Sequence, residues 1–378
     1  ALDGSTQGEH TAVLCTLIDF SKAFDRQDPT LAIESFQENG VRTCLIPLLM
    51  SFFENRRMFV KWHDVISGLK TLPGGGPQGC SLGLWSFLSQ TNDNPEDANN
   101  EDIYKFVDDK SVLEVINLLS IGIASHNPKN RVPSNVPTSN IIIPAVHLKT
   151  QDHLEKISDW TKRKQMKLNN LKTKNLIFNY SKNYQFSTDL KLEDEVIETV
   201  SETVSETKLP GTIITSDLKW NKNTQSIVKQ SNKRMSFLHK ASKFTNNYND
   251  LKKIYMLQVR SKLEQSAMLW HFGLTQKNRN QLERVQKSAL RVILGKRYTS
   301  YSDALKLLNI ESLEDRRNSL CLQFAKNRLK VDKLRKMFPK SSTLHGMTKR
   351  NAEPFIVNRT LTERYLNSAV PQMQRMLN

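Results

Sequence analysis

The stretch YKFVDDKSVLEV, Tyr104 to Val115, sets two carboxylates side by side, Asp108 and Asp109, between two runs with strand character. Asp is common in turns because its short side chain bonds nearby backbone groups. A two-residue hairpin turn, however, favours Asn-Gly, Asp-Gly or a glycine where φ is positive, and this stretch has no glycine. Like charges a few ångströms apart repel by roughly 1 kcal/mol in water and about 4 kcal/mol near a protein surface. A cation relieves that repulsion, and Mg2+ prefers carboxylate oxygens. Taken alone, the stretch leaves two readings open: a plain turn, or a metal-binding pair at a hairpin tip.

Upstream, AVLCTLI at 12–18 is a short apolar run expected as a buried strand. It leads straight into DFSKAFD, Asp19 to Asp25. The next segment carries helix signals: Asp28 as N-cap, Pro29 at the first helical position and Gly40 just past the end. A second helix is expected over about Leu45 to Asn55. Alternation in RMFVKW and DVISGL then predicts a hairpin running into LPGGGPQGCSLG, Leu72 to Gly83, with LWSFL continuing as helix. If Asp19 and the Asp108–Asp109 hairpin end neighbouring strands of one antiparallel sheet, three carboxylates meet at one point. Such a cluster can hold two Mg2+ ions about 3.5–4 Å apart for phosphoryl transfer. Gly74, Gly75, Gly76 and Gly79 lack a Cβ, so their backbone can approach a nucleotide or template closely, or simply form a flexible strand-to-helix turn.

Residues 120–145, rich in Pro, Asn and Ser, read as a long loop. Gln151 to Lys164 reads as a helix, followed by a turn and a strand in MKLNNLKTKNLIFNYS. The reiterated IETVSETVSETKL is expected to be surface. From Trp220 onward the pattern is helical, with Ile227, Met235 and Leu238 on one face and Leu282, Val285, Ala289 and Ile293 on another. Trp160, Trp220 and Trp270 are expected in the core rather than as base-stacking platforms.

The chain has 378 residues, 38% hydrophobic with 16 Phe and 5 Trp, which suits a folded protein of two or three domains. Its formal charge of +17 is uneven. Residues 1–110 hold nine Lys/Arg against sixteen Asp/Glu, and the remainder 46 against 22. A basic body of that kind favours a polyanionic partner such as nucleic acid. No run reaches the roughly 18 apolar residues of a membrane span. No signal peptide opens the chain, and Cys15, Cys44, Cys80 and Cys321 form no C-x-x-C pair. The common zinc patterns are thereby excluded, and reduced thiols in an intracellular protein are expected.

Three motifs in order, LIDFSKAFDRQDP, LPGGGPQGCSLG and YKFVDD, resemble the palm motifs of reverse transcriptases. The flanking text is similar to the non-LTR (LINE-type, jockey-like) retrotransposon branch. ISDWTKRKQMKLNNLKTKNLIF resembles its next palm motif, KLPGTIITSDLKWNKNTQSIVKQSNKRMSFLHKAS its primer grip and the start of its thumb, and LERVQKSALRVILG the region after. The resemblance covers roughly Gly8 to Lys330. It implies an α+β fold: a right-hand polymerase palm over 1–215, with an antiparallel sheet, packed helices and an irregular insertion at 117–150. A helical thumb and following region over 216–330 and a C-terminal tail over 331–378 complete the implied plan.

The implied activity is RNA-directed DNA polymerisation, joining a dNTP to a DNA primer 3′-OH on an RNA template with two Mg2+ ions, for which Mn2+ can substitute. The implied location is nuclear and cytoplasmic. By position, Asp19 and Asp108 match the metal-binding carboxylates, Asp109 the third acid, and the Phe20 carbonyl a further metal ligand. Phe24 matches the aromatic under the sugar, which excludes a 2′-OH. Gln78, followed by Gly79, matches the residue that contacts the incoming nucleotide. Lys229, Lys233, Arg234 and Lys240 lie where a thumb helix tracks template–primer phosphates. Lys172 and Lys174 read either as a proton source for the departing pyrophosphate or as solvated lysines, and Asp25 as a residue that caps or pairs.

The pattern departs from that branch at four points. Val107 stands where Ala is usual and is expected to lie in a strand. Lys110 replaces a small polar residue, either beside the metal or pointing outward, and Gly76 replaces a Val. The chain begins just upstream of the first catalytic strand, with no counterpart of the fingers or of an upstream endonuclease. The alternative expectation is therefore an inactive, truncated retroelement relic that only binds nucleic acid.

Overall fold

The apolar run becomes the central strand, β1 (Thr11–Ile18), because Ala12, Leu14 and Ile18 are covered by helix packing while both backbone edges are paired. The computed structural model describes residues 11–93, 102–118, 139–143, 148–180, 184–200, 207–209, 211–340, 354–357, 360 and 362–378. The chain is mixed α+β and divides into two units, residues 1–204 and 205–378.

In the first unit a five-stranded sheet has the order β5-β4-β1-β3-β2, where β2 is Ile103–Phe106, β3 Asp109–Asn117, β4 Lys174–Asn179 and β5 Glu198–Val200. β1 runs antiparallel to β3 and to β4, β2 antiparallel to β3, and β5 parallel to β4. The expected hairpin is thus β2–β3, and its β3 arm lies directly beside β1. Helix α1 (Pro29–Glu38) starts as its sequence signals require: the Asp28 carboxylate accepts from the Thr30 and Leu31 N–H groups, and Gly40 takes φ +81° past the end. It packs on α2 (Ile46–Phe53) through Ala32, Phe36, Ile46, Leu49 and Phe53.

The unit also holds helix α3 (Ser81–Thr91) and helix α4 (Lys149–Arg163). Leu154 and Ile157 of α4 pack on Ala12, Leu14, Ile18, Val112 and Ile116, closing one face of the sheet. The Glu114 carboxylate, on β3, accepts from the Lys149 and Thr150 N–H groups and the Thr150 hydroxyl. A negative group there satisfies otherwise unpaired donors at the positive helix end and fixes α4 to the sheet.

Two loop expectations are corrected in part. Within 120–145, Ser139–Ile143 form a strand that pairs in parallel with Tyr184–Thr188; the rest of that segment lies outside the described residues. The reiterated segment begins in the sheet, with Ile197 buried and Glu198–Val200 paired to β4, because a sheet edge takes up its Thr/Val pattern. Residues 201–206 lie outside the described residues, and Thr207–Leu209 pair with Thr212–Ile214.

The second unit is mostly helical. Helix α5 (Asn221–Ala241) and helix α6 (Gln276–Leu294) enclose the largest core with residues 251–270 and 304–313. Tyr255 and Trp270 are fully buried in it, and the Tyr255 hydroxyl donates to Gln286 Oε1 at 2.5 Å. Helix α7 (Leu313–Arg328) joins a smaller cluster in which Cys321 and Ala325 meet Phe338 and Met373. Trp160 is also in the core, as expected, and Trp220 packs half-buried against the larger cluster. No helix among the described residues is long and apolar enough to cross a membrane.

Leu14 is fully buried at the middle of β1, whereas Val115 is exposed on β3. Leu14→Ala is expected to lower unfolding free energy by about 2–5 kcal/mol, and Val115→Ala to stay within about 0.5 kcal/mol of wild type. Urea midpoints of the two variants test the assignment.

Candidate functional site

The β1–β3 register decides where the acids go. Ile18 lies opposite Lys110 and Leu17 opposite Ser111. One further step along the same ladder brings Asp19 opposite Asp109. Cross-strand neighbours share a face, with Cβ atoms about 4.5–5.5 Å apart. On the other side of β1 the ladder pairs Leu17 with Lys174, so Lys172 comes beside Asp19. Its Nζ lies 3.5 Å from Asp19 Oδ2. Three adjacent chain segments thus present a row of Asp109, Asp19 and Lys172 at one end of the sheet.

The backbone fixes this row. The Asp19 N–H donates to Thr173 Oγ1 at 3.3 Å, the Asn169 N–H to the Asp19 carbonyl at 2.8 Å, and the Ser21 N–H to the Lys167 carbonyl at 2.7 Å. Phe20 bridges to Leu168, and its ring meets Trp160 edge-on at 6.4 Å. These bonds take up the carbonyl of Asp19, next to the Phe20 carbonyl named as a ligand.

The hairpin tip is Val107–Asp108, with Asp109 already the first residue of β3. Val107 therefore sits in the turn, not in a strand, and adopts φ +58°. A β-branched residue there is strained, by about 1–3 kcal/mol. Its side chain packs against the cluster of Ala23, Phe87, Trp160 and Met166, which holds the turn in place. Alternation along β3 puts Lys110 on the face opposite Asp109. Lys110 is 3% exposed, so it neither points outward nor stands on the acidic row. Together with Phe20, Thr91, Lys105, Val107, Asp108 and Trp160 it lines a cavity of about 10 Å3, room for about one water.

Electrostatics bear the marks of this crowding. The Asp109 carboxyl is pushed above its usual range by burial first, then by the Asp108 and Asp19 carboxylates, and Lys172 pulls it partly back. Asp19 Oδ2 is buried without a hydrogen bond. A crowded carboxyl, and a buried carboxylate oxygen that meets the Lys172 ammonium at 3.5 Å without a hydrogen bond, both fit a divalent cation, which would hold the acids ionised. The set is not drawn together, however: among the described residues, no three His, Cys, Asp or Glu side chains lie close enough to form a ready ligand group. Asp19 and Asp109 share the open face, while Asp108 borders the small cavity.

The glycine loop forms a second cluster. Its Gly75 and Gly76 N–H groups donate to the Gln27 and Phe24 carbonyls at 2.8 and 2.7 Å. A Cβ on Gly75, at φ +88°, would press on the Asp25 backbone, and one on Gly76 would overlap the Gln27 side chain. The close approach that these two glycines permit is to the chain's own Asp25–Gln27 segment. Gly79, at φ +87°, has open space where a Cβ would be. Gln78 Nε2 donates to Asp25 Oδ1 at 2.9 Å, and Phe24 stacks on Phe87 with centroids 4.5 Å apart. Phe24, Asp25, Gln78 and Gly79 thus belong to one assembly, locked from below by the buried Gln27 amide on Ser86 Oγ at 3.1 Å.

Lys229, Lys233, Arg234 and Lys240 are all exposed on α5, in the second unit. Lys174 pairs with Glu198 at 3.1 Å, away from the row. Sequence did not separate Lys172 from Lys174; the strand register does. Gln27 gave no signal at all, because its role depends on a loop almost fifty residues further along the chain.

No protein-family model matches the chain, and no curated protein matches it. Among solved structures it is similar to apo telomerase from Candida tropicalis, at 15% identity and TM-score 0.36, over 88% of this chain and 48% of that one. Telomerase from Candida tropicalis in complex with a TWJ fragment of telomeric RNA gives 14% identity and TM-score 0.33, over 86% and 43%. The Candida albicans complex gives 11% and 0.31, over 87% and 44%. The chain spans less than half the length of these structures, and likeness at this level carries no argument.

Because the fold raises the Asp109 value, it favours the protonated acid. The stability so conferred is present below the ordinary aspartate range and is lost as pH climbs through the raised value. Carbon-13 NMR should show Asp109 titrating above an ordinary aspartate, lower in Asp19→Asn and higher still in Lys172→Gln. Asp109→Asn should flatten the corresponding fall in unfolding free energy with rising pH.

Proposed function

We propose that the chain is the palm and thumb portion of a non-LTR retrotransposon reverse transcriptase, an RNA-directed DNA polymerase. The observation that carries this reading is the row of Asp109, Asp19 and Lys172 at one sheet end, built by the same motifs whose order resembles that family. On this reading residues 1–215 form the palm, 216–330 the thumb and following region, and 331–378 a C-terminal tail. Asp19 and Asp109, with Asp108 and the Phe20 carbonyl, are the groups that would hold Mg2+. When bound, two such ions supply charge stabilisation at the attacking and departing oxygens of nucleotidyl transfer.

The chain's own residues do the rest. Lys172 balances Asp19 and places an ammonium where a departing diphosphate needs positive charge. Asp25 orients the Gln78 amide, and open space at Gly79 leaves backbone accessible to an incoming dNTP. Phe24 is steadied by Phe87, so its ring keeps one position beneath a deoxyribose. Lys229, Lys233, Arg234 and Lys240 contact the phosphates of an RNA template and DNA primer.

A second reading is a nucleic-acid binder without catalysis. It is favoured by the dispersed acids and by Lys172 already occupying the Asp19 carboxylate. Primer extension on an RNA template with Mg2+ or Mn2+ separates the two. The polymerase reading expects extension that chelation stops, and that Asp19→Asn or Asp108→Asn lowers by about 100-fold or more with template–primer binding kept. Tight, salt-sensitive binding without extension in the wild type supports the second reading. Absence of both sinks both.

A further inference from the structure

Between α2 and the glycine loop the chain forms a hairpin arm. Arg57–Met58 pairs with Lys70–Thr71 and Lys61–Trp62 with Val65–Ile66, and among the described residues no third strand joins either pair. Every residue from Arg57 to Thr71 is exposed. Seven of them are large and apolar, from Met58 at 46% exposure to Trp62 at 73%. An isolated two-stranded hairpin is marginal in water, and contiguous exposed apolar surface marks an interaction site. The root of the arm is nevertheless fixed: the Leu72 N–H donates to the Arg56 carbonyl at 2.9 Å, and the Arg56 guanidinium to the Gly75 carbonyl. A fixed root carrying an uncovered apolar hairpin has the form of a docking element.

Its chemistry selects the occupant. The tip is His63–Asp64, so end-on insertion into a lipid layer would carry a carboxylate deepest. Only Phe59 and Trp62 of the seven apolar side chains are aromatic, which gives bases few stacking platforms. Polypeptide remains, and the arm complements itself. The Val60 N–H donates to Ser67 Oγ at 2.8 Å and its carbonyl accepts from the Ser67 N–H at 2.9 Å, so this backbone faces inward. By alternation the backbones of Phe59 and Lys61 face outward, as an open strand edge.

Antiparallel pairing of this edge with that of a second copy, about a twofold axis at Val60, sets Phe59 opposite Lys61 and Met58 opposite Trp62. A ring then meets an ammonium and a thioether meets an indole, both favourable contacts. Moving the axis to Phe59 would instead oppose Arg57 and Lys61, two like charges. Two arms joined at Val60 make a four-stranded sheet whose one face carries Met58, Val60, Trp62 and Val65 from each copy, and a sheet of three or more strands with an apolar face passes the limit that a lone hairpin does not.

We propose that the arm Arg57–Thr71 is a self-association element, through which two copies of this chain pair edge to edge as an isologous dimer. It is independent of the polymerase reading. The test is sedimentation velocity of the full chain over a concentration series, with Val60→Lys and Trp62→Ser as variants at exposed positions whose urea midpoints are compared with wild type. A reversible, closed dimer is expected, weakened about 10-fold or more by either substitution. Register is read separately, in a Cys44→Ser, Cys80→Ser background. There Val60→Cys should join two chains by a disulfide under air oxidation, because a non-hydrogen-bonded pair at the axis brings its Cβ atoms together, and Arg57→Cys should not. A dimer that survives both substitutions, or association that grows without closing at two, overturns the proposal. So does a monomer at every concentration; if that monomer sediments with phosphatidylserine vesicles and Trp62→Ser does not, the arm belongs to a lipid surface instead.

Discussion

The ladder between β1 and β3 is the constraint on which the rest depends. Its register, running from Thr11 opposite Asn117 to Ile18 opposite Lys110, is set by the need to bury Ala12, Leu14, Ile18, Val112 and Ile116 under α4. A slip of one residue would turn every side chain of one strand to the other face. Asp109 would then go under α4 and Lys110 would join Asp19 on the open face. Hydrophobic burial, which carries no information about chemistry, thus fixes which charges meet. Glu114 on the same strand reinforces that choice, since its carboxylate reaches the α4 N-terminus only in this register.

Local signals were legible and long-range ones were not. The Asp28 cap, the β1 run and the helix around Leu154 and Ile157 are visible in short windows, because each depends on neighbours within one or two turns. The pairing of β1 with the hairpin was legible only as a condition, and the register supplies it. Glycine's freedom is also local, but its purpose is not: Gly75 and Gly76 approach Asp25 and Gln27, far back in the chain. Sequence marks such residues as close-approach points without naming what is approached. Lys172 and Lys174 look alike in LKTKN, and separate only once one stands beside Asp19 and the other beside Glu198.

Both units bring like charges near one another. In the first, Asp19 and Asp109 crowd one another and Lys172 offsets them. In the second, Lys208, Arg234 and Lys262 lie near one another with neutral anchors. Neither arrangement improves stability by itself, since like charges on a shared face are unfavourable.

Val107 sets backbone strain against side-chain packing at the hairpin tip. A two-residue turn needs a positive φ, which glycine provides without strain, yet a branched side chain occupies the position at φ +58°. The side chain also fills part of the aromatic cluster formed with Phe20, Phe24, Phe87 and Trp160. Val107 is half-buried, so its packing contributes less than the about 1.5–3 kcal/mol of a fully buried valine and offsets part of the backbone strain. Glycine would relax the turn but leave that cluster underfilled and Asp108 free to swing. The strained valine instead ties the position of the two carboxylates to the same hydrophobic packing that holds Phe24 and Trp160, so the acids cannot move without disturbing the core beneath them.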